Sequence, residues 1–167
     1  LGELEYRVGI GHDTHRLVKG GPLRIGGIDV PFDHHLDGHS DGDVVLHAII
    51  DAILGAAALG DIGDMFPNTA EENKGRDSAE MLALASNRAT DLGFAVINVD
   101  CVISAENPKL AGFKQEIAGR IGNILRITEY RVGVKAKTGE GVGPVGEGKV
   151  IEAHCVALLS RIPGSRL

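Results

Sequence analysis

The sequence contains no tryptophan, two tyrosines and four phenylalanines, so aromatic residues make up only 4% of its 167 positions. Its core must be packed from Val, Ile, Leu and Ala, which dominate the 43% apolar content. Basic runs are also absent, and the formal net charge is -6. That excludes a surface that holds nucleic acid or anionic lipid by counterion release; neither partner is expected, and any bound phosphate must be gripped locally. No apolar stretch is suited to a membrane, since the longest, Val44 to Leu59, is interrupted by His47 and Asp51. The chain does not open with a charged segment followed by an apolar one, so no secretion signal is expected. Cysteine is scarce: Cys101 and Cys155 stand alone in apolar, alternating stretches. They are expected as buried thiols in a reducing compartment, not as a disulfide. Neither a repeat nor a linker divides the chain, and one domain over residues 1–167 is expected.

What the sequence has in excess is glycine. Its 24 glycines cluster between periodic segments, which points to loops that need unusual backbone angles or close approach to a ligand. Tyr6 to Gly11 alternates as a first strand, and Leu23–Ile25, Gly26-Gly27 and Ile28–Val30 predict a hairpin. Residues 33–39 read as a polar loop. Ser40 is the predicted N-cap of a helix with Asp41 and Asp43 in its first turn, ending at Leu59 before Gly60. Asp43, His47 and Asp51 share one side of that helix by their four-residue spacing. Asp77 and Glu80 resemble a capping box for a second helix, ending near Leu92. A strand from Val96 to Ser104 follows, and Asn107-Pro108 predicts the start of a third helix reaching Leu125. Strands at Tyr130–Lys137 and Val150–Leu159 complete an α/β chain, a two-layer sandwich with helices on one face of a mixed sheet. The other sheet face needs cover, which subunit association would provide.

Asp13 and His15 are two apart at the mouth of the first strand, where the period of two points both side chains the same way, and His47 could meet them from the helix. Two imidazoles and a carboxylate suit zinc with one open coordination position. The alternative is that Asp13 and His15 are solvated loop residues and His47 a satisfied core histidine. Asn107-Pro108-Lys109, at the expected helix start, is either an anion site or a plain cap. Lys135 to Glu140 is either a phosphate-binding turn in which Glu140 offers a hard oxygen to Mg²⁺, or a simple polar turn. Gly60-Asp61-Ile62-Gly63 either accepts sugar hydroxyls or only terminates the helix.

Taken together, Gly11-His12-Asp13-Thr14-His15-Arg16-Leu17, His39-Ser40-Asp41-Gly42-Asp43, Leu46-His47-Ala48, Ala56 to Gly63 with Phe66-Pro67, Pro108-Lys109-Leu110, and Val134 to Thr138 with Glu140 resemble the 2-C-methyl-D-erythritol 2,4-cyclodiphosphate synthase family, continuously from about Arg7 to Leu159. The resemblance implies a homotrimer with its sheets around a central prism and an active site at each subunit interface. By it, Asp13, His15 and His47 bind Zn²⁺, and Glu140 helps hold a second divalent ion, Mg²⁺ or Mn²⁺. Ala105, Pro108, Lys109, Leu110 and Lys137-Thr138 carry the nucleotide of a CDP-linked methylerythritol phosphate. Asp61 and Gly63 lie near the methylerythritol portion or the ribose, with Ile62 and Phe66 also on the substrate. Ser40 belongs to a loop over the reacting phosphates, and His39 and Thr138 stabilise the transition state. The implied reaction closes the cyclic diphosphate and releases CMP, on the non-mevalonate route to isoprenoids. The implied compartment is the bacterial cytoplasm, or a plastid or apicoplast lumen after loss of a transit peptide. The sequence departs from the family at Asn68, where many members have aspartate, at Asn73, often aromatic, and in a short loop after Gly139. His12 and Thr14 replace the hydrophobes that flank the metal aspartate in members with an apolar central cavity, so no isoprenoid ligand is expected there. The competing readings are a metal-dependent phosphodiesterase or phosphatase that activates water at the same residues, and a non-catalytic trimer with a structural zinc.

Overall fold

A computed structural model describes residues 5–165. Residues 1–4 and 166–167, the ends of the expected 1–167 domain, lie outside the described residues. Five strands form one mixed sheet in the order β4-β1-β7-β5-β6: His34–Leu36, Tyr6–Lys19, Val150–Arg161, Phe94–Ser104 and Val132–Lys137. All neighbours are antiparallel except β5 and β6. The hairpin β2 (Leu23–Ile25) and β3 (Ile28–Val30) stands beside it. Helices α1 (Val44–Ala56), α3 (Ser78–Asp91) and α4 (Lys114–Leu125) pack on one face, while α2 (Ile62–Met65) and α5 (Gly143–Gly146) are single turns. None of the described helices is long and apolar enough to cross a membrane.

Strand periodicity decides which face is core. On β7, Ile151, Ala153, Cys155, Ala157 and Leu159 turn inward and are buried. On β5 a bulge between Val96 and Asn98 restores the phase, so Val96, Val99, Cys101 and Ile103 all reach the core. Cys101 and Cys155 are directly opposed across these strands, buried and free, as expected of thiols in an apolar layer. The opposite face has no cover among the described residues: Val8 is 68% exposed and Ile10 72%.

Helix α1 is buried along its length except at Asp51 and Gly55. It lies so close to β1 that a methyl group at Gly9 would sit 1.8 Å from the Ala52 carbonyl oxygen, and one at Gly11 1.8 Å from that of Ala48. Glycine on the strand and alanine on the helix are thus one feature: together they let the two backbones touch. The N-terminus of α1 is pinned by Asp43. Its carboxylate accepts the N–H groups of Val45 (3.2 Å) and Leu46 (3.1 Å), and also those of Gly26 (2.8 Å) and Gly27 (2.7 Å) in the hairpin turn. Gly26 and Gly27 have φ of 61° and 78°, the pair of left-handed angles a two-residue hairpin turn requires.

Several boundaries differ from those expected. Strand β1 does not stop at Gly11 but runs to Lys19, because β7 pairs with it from Tyr6 opposite Ser160 to Arg16 opposite Val150. The expected loop at 33–39 contains β4, a three-residue edge strand held by its ladder to Leu17–Lys19. Ser40 is not the cap of α1; Gly42 at φ 74° breaks the helical path, and Asp43 caps instead. The helix ends at Ala56, since Ala58 takes the left-handed conformation at φ 57°. Asp77 caps α3 as expected, but Glu80 pairs with Arg76 (3.0 Å) and not with the cap backbone. Asn107-Pro108, joined by a cis peptide, opens a loop, and after a 3-10 turn at Ala111–Phe113 the helix α4 begins only at Lys114.

Two glycine substitutions test the close approach. Gly11→Ala should lower the unfolding free energy by about 1–3 kcal/mol through overpacking. Gly55→Ala, at an open helical position, should raise it by up to about 1 kcal/mol. Urea midpoints of the two variants check both signs, and a neutral Gly11→Ala would mean that α1 can move off the strand at little cost.

Candidate active site

The contact of α1 with β1 continues one step past the glycines. Where Gly9 meets Ala52 and Gly11 meets Ala48, Asp13 meets His47, the residue just before Ala48. His15 follows on the same strand face. Asp13 Oδ2 lies 2.9 Å from His15 Nε2 and 3.1 Å from His47 Nδ1, and the two imidazole nitrogens are 3.2 Å apart. These edges are close to the ~3.3 Å that separates tetrahedral ligands at zinc bond lengths of about 2.0–2.1 Å. A metal fits the donor set with little movement.

The outer contacts decide which ring nitrogen faces inward. His15 Nδ1–H donates to the Asp37 carbonyl oxygen, which leaves Nε2 as the lone-pair nitrogen. His47 Nε2–H points to the hydroxyl of Ser78 (2.8 Å), with the Ser40 hydroxyl at 3.0 Å, which leaves Nδ1. Ser78 in turn donates to the Asp41 carboxylate, whose other oxygen accepts the Ser78 backbone N–H at 3.0 Å. Carboxylate, hydroxyl and imidazole form a chain that holds the ring from behind. Burial on its own would raise the Asp13 carboxyl, but hydrogen bonds with His15 and His47 outweigh it and hold the group well below the usual carboxylate range. Burial likewise works to lower His15, and its bonds to Asp13 and the Asp37 carbonyl turn the net shift upward. The site is therefore built for an anionic aspartate facing positive charge.

A cavity of about 220 Å³ opens on this group, lined by Asp13, His15, His47, His39, Ser40, Ile62, Gly63, Phe66, Asn68, Asn73 and Met81. Asp51 accepts the Ile62 N–H (2.7 Å) and so fixes α2 at the rim. Asp61 is outside the lining; it caps α2 by accepting from the Asp64 N–H at 2.9 Å. Of the two asparagines that depart from the family pattern, Asn68 lines the cavity and Asn73 is buried, donating to the Pro67 carbonyl (3.0 Å) and accepting from Arg76 (3.0 Å), so it braces the wall.

The remaining expected residues form a second group. Ala105, Pro108, Lys109 and Leu110 follow β5, while Lys137, Thr138 and Glu140 end or follow β6. Ala105 N–H donates to Lys137 O (2.9 Å), Thr138 Oγ1 donates to Glu140 Oε1 (2.7 Å), and Glu106 accepts the Gly139 N–H (3.1 Å) while its carbonyl accepts from Lys109 Nζ (3.1 Å). None of them lines the cavity at Asp13. Register explains why: Thr14, Glu152, Ser104 and Lys137 lie in one row across β1, β7, β5 and β6, so the groups are about 14 Å apart, three strand spacings. Lys109 also lies well before α4, so the helix start expected there, whether as an anion site or as a plain cap, is absent.

Sequence reasoning missed Ser78 and Glu106. A serine directly after the cap Asp77 was a readable signal for the first; the second depends on the pairing of β5 with β6.

These features define a class: an α/β protein on a mixed sheet with a two-histidine, one-aspartate metal-binding group open to a pocket. The chain belongs to the YgbB family, whose model matches residues 6–160. It is similar to the 2-C-methyl-D-erythritol 2,4-cyclodiphosphate synthase of Rhodopirellula baltica, at 49% identity over 158 residues, 95% of either chain. Its fold matches the bifunctional IspDF from Campylobacter jejuni with a TM-score of 0.92 and 37% identity over 96% of this chain, which spans only 43% of that polypeptide. It also matches a CDP-bound 2C-methyl-D-erythritol-2,4-cyclodiphosphate synthase with a TM-score of 0.85 and 33% identity, covering 92% of this chain and 99% of that one.

If Ser78 orients His47 as a metal ligand, Ser78→Ala should weaken divalent-ion binding about 10- to 100-fold with little loss of fold, and His47→Ala should abolish it at this group. Competition against a chromophoric chelator measures both; unchanged binding in His47→Ala would remove the metal assignment.

Proposed function

We propose that the chain converts 4-diphosphocytidyl-2-C-methyl-D-erythritol 2-phosphate to 2-C-methyl-D-erythritol 2,4-cyclodiphosphate and CMP, as a metal-dependent phosphorus–oxygen lyase of isoprenoid synthesis. The observation that carries this reading is the triangle of Asp13, His15 and His47 open to a pocket, in a chain whose full-length relative bears that activity in its name. A solved synthase of the same fold with CDP bound supports a CDP-linked substrate.

Zinc held by Asp13, His15 and His47, with Mg²⁺ or Mn²⁺ held by Glu140, would supply electrophilic charge on the phosphoryl oxygens. The nucleophile is the substrate's own 2-phosphate, whose second pKa of about 6 leaves it largely deprotonated at neutral pH, so the chain needs no strong base. Its task is positioning and exclusion of water. Lys109 and Lys137 grip the nucleotide phosphates, with Ala105, Pro108 and Leu110 shaping the nucleotide cradle. Ile62, Gly63 and Phe66 bound the methylerythritol end, and Asp61 stands at that rim. Ser40 and His39 cover the reacting phosphorus, and His39 with Thr138 donates to its oxygens as charge develops.

The two groups of residues stand apart on one sheet, so a complete site calls for the nucleotide group of one chain to meet the metal group of another. A homotrimer with sheets facing inward satisfies this and covers Val8 and Ile10. Light scattering should give three times the chain mass, and an active monomer would sink the shared site.

Glu140→Gln should leave the zinc site intact yet slow CMP release about 10- to 1000-fold, since a neutral amide is a poor ligand for a hard cation. Lys109→Ala should raise KM more than it lowers kcat, as its contact is already made in the ground state. Following CMP release and identifying the phosphorus product distinguishes cyclisation from hydrolysis; an open 2,4-bisphosphate, in place of the cyclic diphosphate, would favour the hydrolase reading.

A further inference from the structure

The strand that supplies Asp13 and His15 to the pocket turns His12 and Thr14 to the opposite, uncovered face of the sheet. There His12 is paired across the ladder with His154, and Thr14 with Glu152. The two imidazoles are stacked with centroids 4.3 Å apart, and one ligand atom from each of His12, His154 and Glu152 lies within 4.8 Å of the others. The Thr14 hydroxyl is 3.2 Å from His12 Nε2, where it holds the ring. Glu152, half-buried, has no side-chain hydrogen bond or ion pair among the described residues, although its carboxylate lies within 4.8 Å of a ring nitrogen of each histidine.

From this cluster we infer that the free face of the sheet carries a second divalent transition-metal site, formed by His12, Glu152 and His154. Two imidazoles and a carboxylate suit Zn²⁺, Cu²⁺ or Ni²⁺ better than Mg²⁺ or Ca²⁺, which want oxygen alone. The ligands come from adjoining rungs of two central strands, so the backbone ladder preorganises them, and modest rotation of exposed side chains closes the set. Bound metal clamps β1 to β7 and leaves positions open to water or an anion. All the ligands belong to one chain, so the set is complete within each subunit, and in the trimer proposed above it faces the central prism. It does not depend on the catalytic reading, because it lies across the sheet from Asp13.

The test is a Zn²⁺ titration of chelator-stripped protein, with Co²⁺ absorption as a second readout. The wild type should bind two equivalents per chain. His154→Ala and Glu152→Gln should each weaken one of them about 100-fold or more while CMP release is kept. His47→Ala should lose the other equivalent and retain the one on the free face. A wild type that binds a single equivalent, or a second equivalent that survives both His154→Ala and Glu152→Gln, overturns the inference.

Discussion

The contact between the α1 backbone and β1 is the constraint on which the rest depends. Gly9 and Gly11 remove the side chains that would hold the helix away, and Ala48, Ala52 and Ala56 present little bulk from the other side. With a larger residue at any of these points α1 would lie farther out, and His47 would no longer reach the strand. The packing that completes the core thus sets a ligand separation of about 3 Å at its end. Interiors are close-packed and deform little, so a contact of this kind places a functional side chain more accurately than a loop could.

Asp43 gives that contact its direction. One carboxylate gathers four backbone N–H groups, two from the hairpin turn and two from the first turn of α1, and burial without those partners would be costly. Burial works to raise this carboxyl while the N–H groups of Gly27, Leu46 and Gly26 oppose it. The helix therefore cannot slide along the strand without breaking the cap. Asp41 does the corresponding work for α3, binding Ser78 and, through it, the back of the His47 ring. In the His39-Ser40-Asp41-Gly42-Asp43 segment, every polar side chain but His39 has a structural partner among the described residues.

The sheet divides the chemistry in two ways. Alternation along β1 sends Asp13 and His15 to the helical face and His12 and Thr14 to the open one. Strand order then separates the metal group on β1 from the residues after β5 and β6. A chain folded this way carries the two groups at the same level of one sheet, three strands apart. Lys109, Thr138 and Glu140 are ordered by Glu106 and by one another, and not by the cavity at Asp13.

The sequence by itself determined what local chemistry and periodicity control. The Gly26-Gly27 turn was legible because a two-residue hairpin needs left-handed angles, the cap at Asp77 because a carboxylate satisfies free N–H groups, and the inward face of β7 because side chains alternate. The pairing of Asp13 with His15 followed from the same alternation, and the family from motifs in a fixed order. Tertiary structure alone decided the rest. β4 exists only because β1 extends beside it, and Asp43 replaces Ser40 as a cap only because the hairpin turn comes to meet it. Ser78 reaches His47 only when α3 packs on α1. The distance between the Asp13 group and the residues after β5 and β6 was hidden because strand order, unlike strand pattern, is set by pairing between segments far apart in the chain.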